Sequence, residues 1–269
     1  AESSAAPGSV SQITNASNVI IRAAKATDTA VILVGHVTKE GSIAGPKVLE
    51  HLVDVVLNFE GDRYGGFRVV RAQKNRYGST SEAAIFEMSD KGLKIVDNPS
   101  ASLLAERQNL DGSIVMATLE GARPLLVEIQ ALVNPTSFGY PKRTASGFDL
   151  NRLNLLVAVL EKRTKLKLSD KDIFINVVGG LKLSDPAADL AVAMAIASAS
   201  AGKKLSDEAV VFGEVGLGGE VRSATGWHAR VKEAKKLGFT YAIAPKTHGK
   251  DAFIHGVSDL RQALIEYLK

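Results

Sequence analysis

Cysteine is absent from all 269 residues. That removes disulfides, zinc–thiolate sites, iron–sulfur clusters and cysteine nucleophiles together, and it fits a reducing compartment. No apolar run approaches the roughly 18–20 residues needed to cross a bilayer. The nearest case, Pro186–Ala201, is interrupted by Asp189. The opening stretch AESSAAPGS has neither a basic head nor an apolar segment, so no signal peptide is expected, and the first residue is Ala rather than Met. No GxxxxGK[ST] phosphate loop occurs: the pairs Gly202–Lys203 and Gly249–Lys250 lack a glycine five positions upstream. No metal-binding cluster is expected either.

What is present suits a globular chain with one large domain or two ordinary ones. Hydrophobic residues make up 45% and charged residues 23%, enough to bury a core. A net charge of +4 permits a phosphate or nucleic-acid partner without demanding one. Helices are expected over Ser11–Ala26, Val48–Leu52, Asn151–Arg163, Pro186–Ala201, Ala229–Leu237 and Ser258–Leu268, from apolar stripes, caps and breakers. The apolar run Ala30–Val34 reads as a buried strand. Further strands are expected over 53–59, 67–73, 83–88, 93–96, 113–119, 124–133, 172–178, 209–213 and 241–244. The polar, Pro- and Gly-containing segment at 97–112 reads as a boundary. It gives domains 1–97 and 113–269 with a linker at 98–112.

Several residues stand out for chemistry. Between Arg63 and Arg76 lie five cations and no acid, ending in the KNRYG turn with Lys74 and Arg76. Cations beside a tight glycine turn suit a phosphate, and equally suit a solvated strand end. His36 follows the expected strand directly, where ligands gather in α/β sheets, and the glycine-rich loop after it carries Lys39 and Lys47. From Pro141 to Lys182 nine cations face four acids, an excess that could neutralise duplex phosphates or merely solubilise a surface.

These segments resemble a known family. APGSVSQ at the start, VGHVTKEGSIAGPKVLEHLVD at 34–54, KNRYGST at 74–80, IFEM at 85–88, NPTSFGYPKR from Asn134, LLVAVLEKR from Leu155 and GEVGLGGEVR from Gly213 are similar, in order, to the bacterial RadA (Sms) family. The resemblance implies an α/β fold: the last part of a RecA-like ATPase core, then an α+β Lon protease-like domain. It implies the C-terminal part of a hexameric, cytoplasmic, ATP-driven DNA motor of recombinational repair and branch migration. Its zinc finger and Walker motifs would precede this sequence. ATP and Mg2+ would belong to the intact protein, with none bound to this chain alone. Partners would be single- and double-stranded DNA, the recombinase RecA and further copies of the chain, with no membrane.

Carried over by position, Lys74 and Arg76 match the family's KNRFG motif, with Tyr77 in place of the usual Phe, and would act in trans on a neighbour's nucleotide. His36 would sense the γ-phosphate. Lys39 and Lys47 would contact single strands, and Lys142, Arg143 and Arg152 duplex DNA. Lon-type peptidases pair a serine with a lysine, and a working pair needs both groups. Ala187 stands at the serine position, in SDPAAD, and His228 at the lysine position. The resemblance therefore implies an inactive domain retained as an assembly surface. The alternatives are a Ser/Lys peptidase with a displaced dyad, drawn from Ser184 and Lys182, and an assembly module that does not touch DNA.

Overall fold

Helix α1 (Val10–Ala26) begins where the Ser9 hydroxyl accepts the Gln12 amide at 3.4 Å, and it ends at Thr27, whose amide returns to the Ala23 carbonyl. A computed structural model describes residues 9–35, 48–61, 66–137, 139–248 and 251–269. His36, Lys39 and Lys47 lie outside the described residues, as do Arg63 and the loop around each of them. The segment Ala30–Val34 is not a strand: Ile32 and Val34 are 90% and 88% exposed. An apolar run becomes a strand only when another strand supplies its hydrogen bonds, and among the described residues none pairs with it.

Helix α2 (Val48–Leu52) precedes a four-stranded sheet with the order β1 (Val55–Glu60), β2 (Phe67–Asn75), β3 (Ala83–Ser89) and β4 (Gly92–Ile95). The pairs β2–β3 and β3–β4 are antiparallel, and buried Val69 sits opposite buried Ile85.

The chain divides into two compact units at different points from the boundary expected at 97–112. The first comprises Ala1–Asn58 and Ala72–Thr80, the second Phe59–Arg71 and Ser81–Lys269. The expected linker at 98–112 opens with a helix, α3 (Pro99–Leu104). Asn98 caps it by accepting the Ala101 amide at 3.2 Å, Pro99 occupies its first turn, and Ser100 and Leu103 are buried. Polar composition conceals that anchoring, because Ser100 uses its hydroxyl internally: it donates to Glu233 at 2.7 Å and accepts from the Leu126 amide at 3.1 Å.

The second unit is built on a seven-stranded mixed sheet. Its strands are β5 (Ser113–Glu120), β6 (Arg123–Pro135), β7 (Arg143–Ser146), β8 (Lys171–Val177), β9 (Ala209–Val211), β12 (Tyr241–Pro245) and β13 (Ile254–Val257), ordered β13-β12-β9-β5-β6-β8-β7. A two-stranded hairpin, β10 (Glu214–Val215) with β11 (Val221–Arg222), lies beside it in sequence. The links β13–β12, β12–β9, β9–β5 and β7–β8 are parallel; β5–β6 and β6–β8 are antiparallel. Six consecutive residues of β5, from Ser113 to Thr118, are buried, so both of its faces are covered.

Helix α5 (Ala188–Ala201) packs on β5 and β6, with α4 (Leu150–Thr164) and α7 (Leu260–Tyr267) against it. Its first eleven residues are all buried. A helix apolar on every side must be enclosed, and its alanines let the neighbours close in. Helix α3 packs on β6, and α6 (Trp227–Lys236) packs on both β5 and β6. The architecture is α/β, with a large mixed sheet and helices packed on it. Among the described residues no helix is long and apolar enough to cross a membrane.

Candidate functional site

In the first unit, the KNRYG turn closes on α2. The Lys74 ammonium donates to the carbonyls of Glu50 at 2.7 Å and Val53 at 2.8 Å, where α2 has run out of internal donors. A cation there also answers the negative end of the helix. Lys74 is thus a brace. The Arg76 amide donates to the Asp54 carbonyl at 2.9 Å, while the Arg76 guanidinium meets the Asp54 carboxylate at 3.3 Å with its side chain 66% exposed. Such a surface pair is weak, so the guanidinium can exchange one anion for another. Asn75 accepts the Tyr77 amide at 3.1 Å and donates to the Ser79 carbonyl at 3.3 Å, which folds the turn so that Tyr77 stands out, 78% exposed. The basic run also includes Arg71, in the second unit, which is tied between Glu60 at 2.5 Å and nearly buried Glu120. Burial raises the Glu120 carboxyl above its ordinary value, against the lowering by Arg71.

In the second unit, the chain enters α5 at the matched serine position. Ala187 is 2% exposed and offers a methyl group. Its carbonyl accepts the Gly213 amide at 2.9 Å, and the Leu190 amide donates to the Gly213 carbonyl at 3.0 Å, which straps the start of α5 to the end of β9. Asp185 accepts four hydrogen bonds: from Thr118 Oγ1 at 3.0 Å, the Leu119 amide at 3.1 Å, the Ala187 amide at 3.0 Å and Arg230 Nη1 at 2.6 Å. Burial disfavours its charge, but Arg230 and the two amides outweigh that and hold its carboxyl below the usual range. Arg230 is 1% exposed. It donates also to the Ala117 carbonyl at 2.7 Å and the Thr225 carbonyl at 3.1 Å, and it lies 5.7 Å from the Phe212 ring centre.

His228, at the matched lysine position, is exposed. Residues two apart on a helix point in roughly opposite directions, so Arg230 turns inward and His228 outward. His228 stacks on Trp227 at 3.5 Å between ring centres, and Trp227 stacks in turn on His248 at 5.3 Å. His248 Nε2 accepts the Ala224 amide at 3.1 Å. Burial, and then the nearby His228, lower its pKa below the ordinary imidazole value. The two matched positions thus hold a methyl group and an imidazole, with a closed Asp185–Arg230 pair beside them. Ser184 and Lys182 are both exposed, and among the described residues no hydrogen bond joins them. The described residues contain no group of three side chains arranged to hold a metal ion.

The expected duplex contacts separate. Arg152 is not at a free surface: its guanidinium pairs side by side with Asp189, 1% exposed, with Nε to Oδ1 at 2.9 Å, and donates to the Val215 carbonyl at 2.9 Å. The Asp189 hydrogen bond raises the Arg152 pKa. Arg143 is also engaged, donating to the carbonyls of Lys142 at 3.1 Å, Leu168 at 2.9 Å and Lys171. It ties β7 to the turn before β8. Lys142 is exposed, with its amide held by Asp172 at 2.7 Å. Three other cations of the basic stretch, Lys162, Lys165 and Lys167, are exposed at and just past the end of α4. Counting charges over 141–182 cannot sort these groups, because the distinction lies in which carbonyl or carboxylate each one meets in the fold.

Residues 153–248, from α4 to the short turn after β12, match the family described as subunit ChlI of Mg-chelatase. Over 245 residues the chain is 51% identical to the DNA repair protein RadA of Halalkalibacterium halodurans, covering 91% of this chain and 54% of that one. It is 50% identical to the RadA of Bacillus subtilis over 266 residues, 96% of this chain and 58% of the other. The RadA of Aquifex aeolicus is 50% identical over 246 residues, 91% and 55% of the two chains. The chain therefore spans about half the length of the curated relatives it matches.

Proposed function

We propose that this chain, 51% identical over nine-tenths of its own length to the DNA repair protein RadA of Halalkalibacterium halodurans, is the part of an ATP-driven repair motor that supplies a trans-acting cation and a DNA-binding assembly platform. The observation that carries the first role is Arg76: an exposed, weakly paired guanidinium on a turn that Lys74 braces from behind. A guanidinium that can leave its aspartate for a phosphate suits a polyphosphate held by a neighbouring copy, where it would counter negative charge and tie hydrolysis to assembly. Lys74, by contrast, holds the turn. ATP and Mg2+ do not fit this chain by itself, because its sequence has no phosphate-cradling loop. In the full-length protein, Arg76→Ala is expected to cut DNA-stimulated ATP hydrolysis by tenfold or more with assembly intact. An unchanged rate excludes the trans role.

The second unit is, on this reading, a Lon protease-like domain without peptidase chemistry. A methyl group at Ala187 cannot attack a carbonyl, and buried Arg230, paired with Asp185, fills the adjoining space with charge already neutralised. What remains is a scaffold that presents Lys142, Lys162, Lys165 and Lys167 to duplex DNA. Repetition around a hexamer would multiply such weak contacts. Branch migration, partnership with the recombinase RecA and a cytoplasmic location belong to the same proposal. The rival assembly module predicts no DNA affinity at all, and duplex binding by the chain decides between them.

A further inference from the structure

Where β9 and β12 begin, the second unit has a cavity of about 460 Å³ with aromatic and basic walls, and Ala187 is not among its lining residues. Nothing in the preceding proposal uses its residues. His255, exposed on edge strand β13, stacks on Tyr241 at 4.5 Å between centres with the planes only 18° apart. Tyr267 of α7 closes the corner, 6.2 Å from Tyr241 and 5.9 Å from His255. Lys204 and Lys269 share the rim, and their backbones are locked together by reciprocal hydrogen bonds of 2.9 and 3.1 Å. Glu266 adds one acceptor.

Each part of this arrangement has a matching demand. A near-parallel ring pair with an exposed outer member offers a face on which another flat ring can continue the stack. Two lysines pinned side by side attract an anion attached to that ring. The cavity falls within the roughly 300–1,000 Å³ of small-ligand sites. We propose that this cavity binds a nucleobase carrying a phosphate, either as a free mononucleotide or as an unstacked base of a single strand.

The experiment is titration of the chain with thymidine monophosphate, with a thymidine octanucleotide and with inorganic phosphate, read by NMR on the His255 ring protons and by calorimetry. Stacking is expected to move the His255 signals upfield with at least one of the two base-containing ligands and not with phosphate. His255→Ala, an exposed site, is expected to weaken that binding about tenfold, roughly the worth of one stacked ring pair. Tyr267→Phe should leave it within about twofold. An octanucleotide that binds tenfold or more tighter than the mononucleotide identifies a strand; equal affinities identify the free nucleotide. The proposal is overturned if phosphate alone reproduces the response, if neither base-containing ligand moves His255, or if His255→Ala binds as the parent does. Replacing Lys162 and Lys165 by Glu should not alter mononucleotide binding, so loss of the duplex platform and loss of this site are separable.

Discussion

At the scale of single residues, the second unit depends on two carboxylate–arginine pairs, each with one fully buried partner, Arg230 in one and Asp189 in the other. Asp185 faces Arg230, and Asp189 faces Arg152. Removing one partner of such a pair strands the other charge in a dry place. Asp185→Asn is therefore expected to cost about 3–5 kcal/mol of unfolding free energy in urea titration. The pH dependence follows from the same group. Its folded pKa lies below its unfolded value of about 3.9, so its stabilisation is complete above that value and is lost as pH falls through the folded one. His248 acts in a higher window. Its folded pKa is lowered, so the unfolded chain takes up the proton first, and stability rises with pH up to and somewhat beyond about 6.5. His248→Gln should flatten the melting temperature between about pH 5.5 and 7.5 while leaving the acid loss intact. Ala187→Ser is expected to give no cleavage of an unfolded protein substrate, since no lysine stands at the matched position of His228 to activate it.

Elements show which local signals suffice. Helices α1, α4 and α5 are legible because an apolar pattern and a cap or breaker coincide within one stretch of chain. Strands β7 and β13 carry no such local signal. RTAS at 143–146 has no apolar run, and it becomes a strand because β8 offers a parallel partner and Arg143 binds the carbonyls beside it. Ala30–Val34 is the converse case, an ideal apolar run with no pairing strand among the described residues. Helix α5 invites a packing test. Ala193 is fully buried, and Ala193→Leu should destabilise by about 1–3 kcal/mol through overpacking, measured by denaturant unfolding. Gly112 carries φ +81°, and a Cβ there would run into the Ala131 carbonyl oxygen, so Gly112→Ala strains both its own backbone and the start of β5.

For the molecule as a whole, charge is the property that reaches furthest. An excess of cations over 141–182 reads as a platform, but Arg143 and Arg152 belong to the fold and only some lysines face outward. Duplex binding by the chain should weaken steeply with salt. The triple replacement of Lys162, Lys165 and Lys167 by Glu should lower the slope of log K against log salt by roughly three, about 0.9 for each phosphate no longer neutralised. A slope unchanged by those replacements places the duplex elsewhere. Reversing Arg152 instead would test folding, because it would set two negative charges against each other beside Val215.

By itself, the sequence determined the resemblance to RadA, the α/β pattern, the lack of a phosphate loop and the methyl group at the matched serine position. Each of these is written in residue type and order along the chain. Only the tertiary structure decided which cations are tied into the fold, where the compact units divide and that aromatic rings from two strands and a helix meet in one cavity. Those outcomes depend on pairs far apart in sequence, such as Arg152 with Asp189 and Tyr241 with Tyr267. A charge or a ring reads the same in one dimension whether it meets water, a carboxylate or another ring.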